Sequence, residues 1–162
     1  MGKRPPVLVI VVAASIVLVA AVAAWYPQRA VAIVVRPERT VYVPGESVNF
    51  TLVLKVEGNR PVTVVPFPGP LCGNFYYAVQ DEGGRTIYPG VGRNIQIPCP
   101  MEMARFLRPG DTFSWNSTWN QVNDTGFLVP AGHRYGIVGV FVERGEPVHV
   151  FATPVWVFVK PA

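Results

Sequence analysis

Several things are scarce in this chain of 162 residues, and each scarcity excludes something. Only 15% of the residues are charged, and no Lys/Arg run exists after position 4. The formal charge is +4, but Lys3 and Arg4 stand before an apolar segment; beyond them twelve Lys/Arg face ten Asp/Glu, dispersed along the chain. That is no electrostatic footprint for nucleic acid. There are two histidines and two cysteines. No GxSxG, HExxH, P-loop or GxGxxG occurs, so the motif-borne hydrolase, zinc-protease and nucleotide classes are excluded. After Tyr26 no window shows a period of 3.6, so no soluble helix is predicted.

Metal chemistry is equally short of ligands. Cupredoxin-like copper binding needs a Cys, two His and often a Met at one end of a sandwich. Here neither Cys72 nor Cys99 has a histidine near it in sequence, and no CxxC exists. His133 follows a turn glycine and His149 falls in the last strand, settings typical of surface histidines. Met101 and Met103 read as packing, and Asp81, Glu82 and Asp111 as turn carboxylates. The expectation is a protein with no cofactor, no metal and no catalytic residue.

What is abundant is apolar residues, at 50%, concentrated near the start. Residues 7–24 carry no charge and one polar side chain, Ser15. As a helix they would span ~27 Å, close to the ~30 Å of a hydrocarbon core. Trp25 and Tyr26 follow where interfacial aromatics belong, and the basic residues precede it. The expectation is a single-pass anchor with a cytoplasmic N-terminus and an extracytoplasmic C-terminal part. The alternative is a signal peptide cleaved near Ala21-Val22-Ala23, which would leave a secreted protein. The domain division is 1–28 for the basic start and anchor, and 29–162 for the exported domain.

Seventeen prolines and fifteen glycines spread as turns suit many short strands. Residues 47–56 alternate cleanly: Val48, Phe50, Leu52, Leu54 and Val56 share one face. Residues 57–60 read as a tight hairpin turn answered by a strand over 62–65. Residues 31–35, 40–43, 75–80 and 85–88 read as further strands, with a turn at 81–84. After the Arg108-Pro109-Gly110-Asp111 turn, Phe113, Trp115, Ser117 and Trp119 alternate with Thr112, Ser114, Asn116 and Thr118. Beyond Pro130-Ala131-Gly132, residues 135–142 are apolar enough for a strand covered on both faces. The last strand, 148–158, breaks near Pro154. Eight or nine strands at this spacing predict an all-β, immunoglobulin-like antiparallel β-sandwich; a small barrel is the alternative.

An exported domain with two cysteines favours a Cys72–Cys99 disulfide. It would close a loop of about 27 residues, worth about 3.5 kcal/mol in chain entropy. Three Asn-x-Thr sequons, at Asn49, Asn116 and Asn123, lie on the exported side and are candidate N-glycosylation sites.

The region 48–142 resembles the intracellular proteinase inhibitor (BsuPI) family. The residues that carry the resemblance are the 47–56 strand with its polar turn and Pro61-Val62-Thr63-Val64, then Phe75 leading to Asp81-Glu82-Gly83-Gly84-Arg85. Pro109, Gly110 and Asp111, then Trp119, then Pro130, Gly132 and Tyr135 form its fold signature. The resemblance implies an immunoglobulin-like sandwich and protease inhibition. The chain departs from the family in its membrane segment, its two cysteines and its C-terminal strand, and no inhibitory loop maps onto it. The expected function is a membrane-anchored binding module for an unidentified protein partner, in an oligomeric state the sequence leaves open. The alternatives are an inhibitor of extracytoplasmic proteases, facing them with residues 66–73, or a surface-filament subunit donating residues 31–35.

Overall fold

The computed structural model describes residues 31–66, 73–88, 104–143 and 149–162. The anchor segment 7–24, Cys72 and Cys99 lie outside the described residues. Within them the protein is all-β, with eleven short strands.

The centre of the first sheet is β3 (Val48–Val56). Its alternation puts Val48, Phe50, Leu52, Leu54 and Val56 in the core, nearly without exposure. Burial of each such side chain is worth roughly 1.5–3 kcal/mol. β1 (Val31–Pro37) lies antiparallel on one side of it, and β8 (Thr112–Trp119) on the other. β8 answers with Phe113, Trp115 and Trp119 on the inner face, which stand across the register from Leu54, Leu52 and Val48.

The second sheet runs β2 (Val41–Tyr42), β11 (Val155–Val159), β9 (Arg134–Val142), β5 (Phe75–Gln80), β6 (Thr86–Tyr88). β10 (His149–Phe151) pairs with the C-terminal half of β9 and β11 with its N-terminal half. The predicted break near Pro154 is therefore real. β9 is the buried spine: Tyr135, Ile137 and Phe141 enter the main core, while Val138 and Val140 join Ala78 in a second, smaller cluster. Its coverage on both faces is as expected from its unbroken apolar run. Gly139 lets the sheets close: a Cβ there would stand 2.6 Å from Ile33 Cγ2 and 3.3 Å from Leu52 Cδ2. Aromatic edges knit the two sheets, with Phe50 against Tyr77 at 4.9 Å and Phe75 within 6.2 Å of both Phe113 and Trp115.

Three expectations need correction. The strand after the 57–60 turn, β4 (Val62–Val64), does not pair with β3; it pairs with β7 (Arg105–Leu107). Both edges of β3 are occupied along its length by β1 and β8, leaving β4 nothing to bond there. At the end of β3, Val56 instead exchanges backbone hydrogen bonds with the 108–111 turn: its N–H donates to Asp111, and its carbonyl accepts from Gly110. The sandwich is not purely antiparallel, because β2 runs parallel to β11. The first strand also does not stop at Val35 but continues through Pro37, whose ring nitrogen has no hydrogen to lose.

The strands give the sandwich two ends. Val31, Val56, the 108–111 turn, Phe75 and Phe141 lie at one. Pro37, Val48, Trp119, Tyr135 and Gln80 lie at the other. Nine residues of β3 separate them by roughly 30 Å.

Candidate functional site

At the Trp119–Tyr135 end, three segments distant in sequence enclose an open cleft of about 370 Å³. That volume falls within the range of small-ligand sites. The first wall is the β5–β6 turn, with Asp81, Glu82 and Gly83, together with Ile87. The second is the loop after β8, through Asn123, Val129 and Pro130. The third is the start of β9, with His133, Arg134 and Tyr135.

Local hydrogen bonds fix each wall. Asp81 Oδ1 accepts from the N–H groups of Gly83 (3.0 Å) and Arg85 (2.9 Å), which is how a turn aspartate closes its own turn. Glu82 Oε1 accepts from Arg134 N–H at 3.0 Å and ties the turn to β9. The Asp124 N–H donates to the Ile87 carbonyl at 2.8 Å, tying the loop to β6. Asn123 Oδ1 accepts from the Thr125 N–H (3.0 Å), the Thr125 hydroxyl (2.7 Å) and the Phe127 N–H (3.0 Å).

Below the cleft, Tyr135 is buried, edge-on to Trp119 at 5.4 Å, and its hydroxyl donates to the Pro130 carbonyl at 2.7 Å. Burial, helped by the nearby Glu82 and Asp81 charges, raises its phenol above the usual range and keeps it neutral. The Trp119 indole N–H donates to the Val122 carbonyl at 2.8 Å. Gln121 then takes the left-handed conformation, φ 53°, although it is not glycine. It is 1% exposed. Its Oε1 accepts from Gly45 N–H (2.9 Å), its Nε2 donates to the Val43 carbonyl (2.8 Å), and its own carbonyl accepts from Val129 N–H (2.8 Å). Gln121 thus holds the β2–β3 turn through its side-chain amide and the far end of the cleft loop through its backbone carbonyl.

The signature residues separate into two groups. Trp119, Pro130, Gly132 and Tyr135 gather at the cleft end, where Gly132 (φ 81°) donates its N–H to Val159. Pro109, Gly110 and Asp111 form the turn at the opposite end, closed by Asp111 Oδ2 accepting from Arg108 N–H at 2.8 Å. Asn49 and Asn116 stand on the outer face of β3 and β8, directly opposite residues of each other's sequon. Thr118 donates its hydroxyl to Asn49 Oδ1 (2.9 Å) and Thr51 donates to Asn116 Oδ1 (2.8 Å). Sequence reasoning singled out Asn123, Pro130 and Tyr135 but missed Glu82 as a tie to β9, and missed Gln121 altogether. One of two polar residues between Trp119 and Val122, it breaks no periodicity that would mark it.

Chemically the cleft offers carboxylates, an imidazole and a guanidinium around the apolar Ile87, Val129 and Pro130. Among the described residues no group of three or more His, Cys, Asp or Glu is placed to hold a metal ion. Asp81 and Glu82 spend an oxygen each on backbone N–H groups. The arrangement is suited to binding. On the loop between its Asn123 and Val129 walls, Phe127 and Leu128 are 73% and 62% exposed.

No family model matches the chain, and no curated protein matches it. Among solved structures it is similar to Spo0M, a sporulation control protein from Bacillus subtilis, at 13% identity and a TM-score of 0.53. The match covers 83% of this chain and 51% of Spo0M, so the chain spans about half of that protein's length. It is also similar to a structural genomics target, SoR45, at 12% identity and a TM-score of 0.45, covering 82% of this chain and 88% of the other. At such identity the likeness to Spo0M speaks to the all-β fold alone. No helix among the described residues is long and apolar enough to cross a membrane.

Proposed function

We propose that the chain is a membrane-anchored, extracytoplasmic immunoglobulin-like module that binds a protein partner through the cleft end of its sandwich. Two features support the immunoglobulin-like reading. The N-terminal strand pair switches sheets, β1 lying against β3 and β2 running parallel to β11. Tyr135, near the start of β9, bonds back to the backbone five residues upstream, as in a tyrosine corner.

The observation that carries the binding reading is where the cleft lies. An anchor over residues 7–24 would join the domain at Val31, with a short linker between. The cleft, Phe127 and Leu128 sit at the end opposite Val31, roughly 30 Å further along the strands and so turned away from the membrane. An apolar pair beside a cleft of mixed charge suits a protein surface with an apolar anchor and a polar rim.

A second reading, inhibition of extracytoplasmic proteases as the BsuPI-like resemblance implies, has one observation in its favour. Buried Asn74 clamps the base of the 66–73 segment, accepting from Val65 N–H (2.7 Å) and donating to the Thr63 carbonyl (2.7 Å). That base lies at the Val31 end, however, where a retained anchor would hold it close to the membrane. A filament subunit is disfavoured, because the donor segment 31–35 is already paired with β3.

The test is a pull-down from native membranes with the full-length chain and its Phe127→Ser/Leu128→Ser variant. A partner held by the parent and lost with the variant is the expected result; equal recovery with both would remove the cleft end as the binding surface. Incubation with a serine-protease panel separates the second reading: inhibition at micromolar protein would favour it over the first. Alkali extraction of membranes distinguishes an anchor from a cleaved signal.

A further inference from the structure

The three sequons are equivalent in sequence and unlike in the fold. We infer that Asn123 is the one sequon that the folded domain presents for N-glycosylation. This rests on export of residues 29 onward as proposed above.

A transferase must bring the amide and the hydroxyl of one sequon together in one site, which is why the motif requires both. In an extended strand, residues i and i+2 stand ~6.6 Å apart along the chain. Asn49 and Thr51 lie within β3, Asn116 and Thr118 within β8. In both, the threonine hydroxyl is committed to the other sequon's asparagine, Thr118 to Asn49 and Thr51 to Asn116. The Asn49 amide also donates to Glu38 Oε2 at 3.3 Å. Presenting Asn49 would mean opening the central strand on both sides. Presenting Asn116 would mean peeling β8 from β3 and withdrawing Trp119 from the core.

Asn123 differs in its setting and in the partner of its threonine, although it is itself half-buried where Asn49 and Asn116 are exposed. It lies in a loop, and Asp124, Thr125 and Gly126 beside it are exposed. Its own Thr125 hydroxyl donates to its Oδ1 at 2.7 Å, so the sequon is already folded upon itself. Two backbone N–H groups donate to the same oxygen. Three donors on one carbonyl oxygen draw density from the amide and make its N–H more acidic. No hydrogen bond engages Asn123 Nδ2 among the described residues, so the nitrogen remains available.

The reaction takes its sugar from a lipid-phosphate-linked oligosaccharide. Asn123 Nδ2 bonds to the anomeric carbon as the bond from that carbon to the phosphate oxygen breaks. The lipid phosphate leaves with the electron pair, and the amide proton passes to a carboxylate of the transferase. The glycan would then stand at the rim of the cleft, which Asn123 lines.

The test uses the purified full-length chain in detergent, with an oligosaccharyltransferase and a lipid-linked oligosaccharide, read by intact mass and peptide mapping. The folded chain is expected to gain one glycan, at Asn123. Asn49 and Asn116 should react slower by roughly a hundredfold or more, since they become available only on opening of the sheet. The same chain unfolded in urea and digested should accept at all three sequons. Asn123→Asp keeps the oxygen acceptor of the turn and should abolish the product; Thr125→Ser should retain it. Comparable modification of Asn49 or Asn116 in the folded chain, or an unreactive Asn123, would overturn the inference. A C-terminal domain that protease reaches only from the cytoplasmic face of native membranes, with the selectivity intact in vitro, would instead overturn the export reading.

Discussion

Gln121 is the residue on which the cleft loop turns, and its replacement gives a quantitative test. Gln121→Ala deletes two hydrogen bonds, to Gly45 N–H and the Val43 carbonyl, and leaves a void among the largest fully buried side chains. Two such bonds contribute about 1 kcal/mol each. Lost packing adds about 1 more, for a total of about 3 kcal/mol. With a urea slope near 2 kcal/mol per molar, the unfolding midpoint should fall by about 1.5 M. Gln121→Gly loses the same contacts but relieves the left-handed backbone at φ 53°. A side chain there costs about 1 kcal/mol, partly offset by the extra freedom of glycine in the unfolded chain. The glycine variant should therefore be the more stable of the two by about 0.5 kcal/mol, the reverse of the order in ordinary strands. A midpoint within 0.2 M of the parent for Gln121→Ala, or alanine outranking glycine, would refute the account of this residue as a strained, buried tie.

Gly139→Ala should cost about 1–3 kcal/mol, since its Cβ would meet Ile33 Cγ2 at 2.6 Å. Adding Ile33→Ala should recover part of that loss, and strictly additive effects in a double-mutant cycle would remove the steric explanation. The Tyr77 phenol is buried, donates to the Thr118 carbonyl at 2.9 Å, and has its pKa raised chiefly by burial. A raised folded pKa means stability that is whole below the unfolded value near 10 and lost as pH rises past it. Urea midpoints should show about 1.4 kcal/mol less stability at pH 11 than at pH 9 from this group, a slope that Tyr77→Phe should remove. Partly exposed Glu46, whose carboxyl is held below its ordinary value by the Arg39 guanidinium, works in the opposite sense: its small contribution is present at neutral pH and lost on acidification. Glu46→Gln should flatten the acid side of the curve, and an unchanged acid limb would count against that pair.

Much of this architecture is written in the chain as alternation. Residues 47–56 and 112–119 state which side chains face inward, because a strand's period of two assigns faces without reference to anything else. The same alternation places Asn49 and Asn116 outward, and the apolar run at 135–142 announces a strand covered on both sides. Turn chemistry is local too, so Gly110 and Gly132 mark their turns before any partner is known. Alternation does not name the neighbour. That β4 joins β7, that β2 runs parallel to β11, and that Thr51 serves Asn116 all follow from closing two sheets together, where each edge is either taken or free. The cleft is of this second kind. Asp81, Asn123 and His133 share no pattern in sequence; they meet because Trp119 and Tyr135 pack edge to face and draw three chain segments to one end.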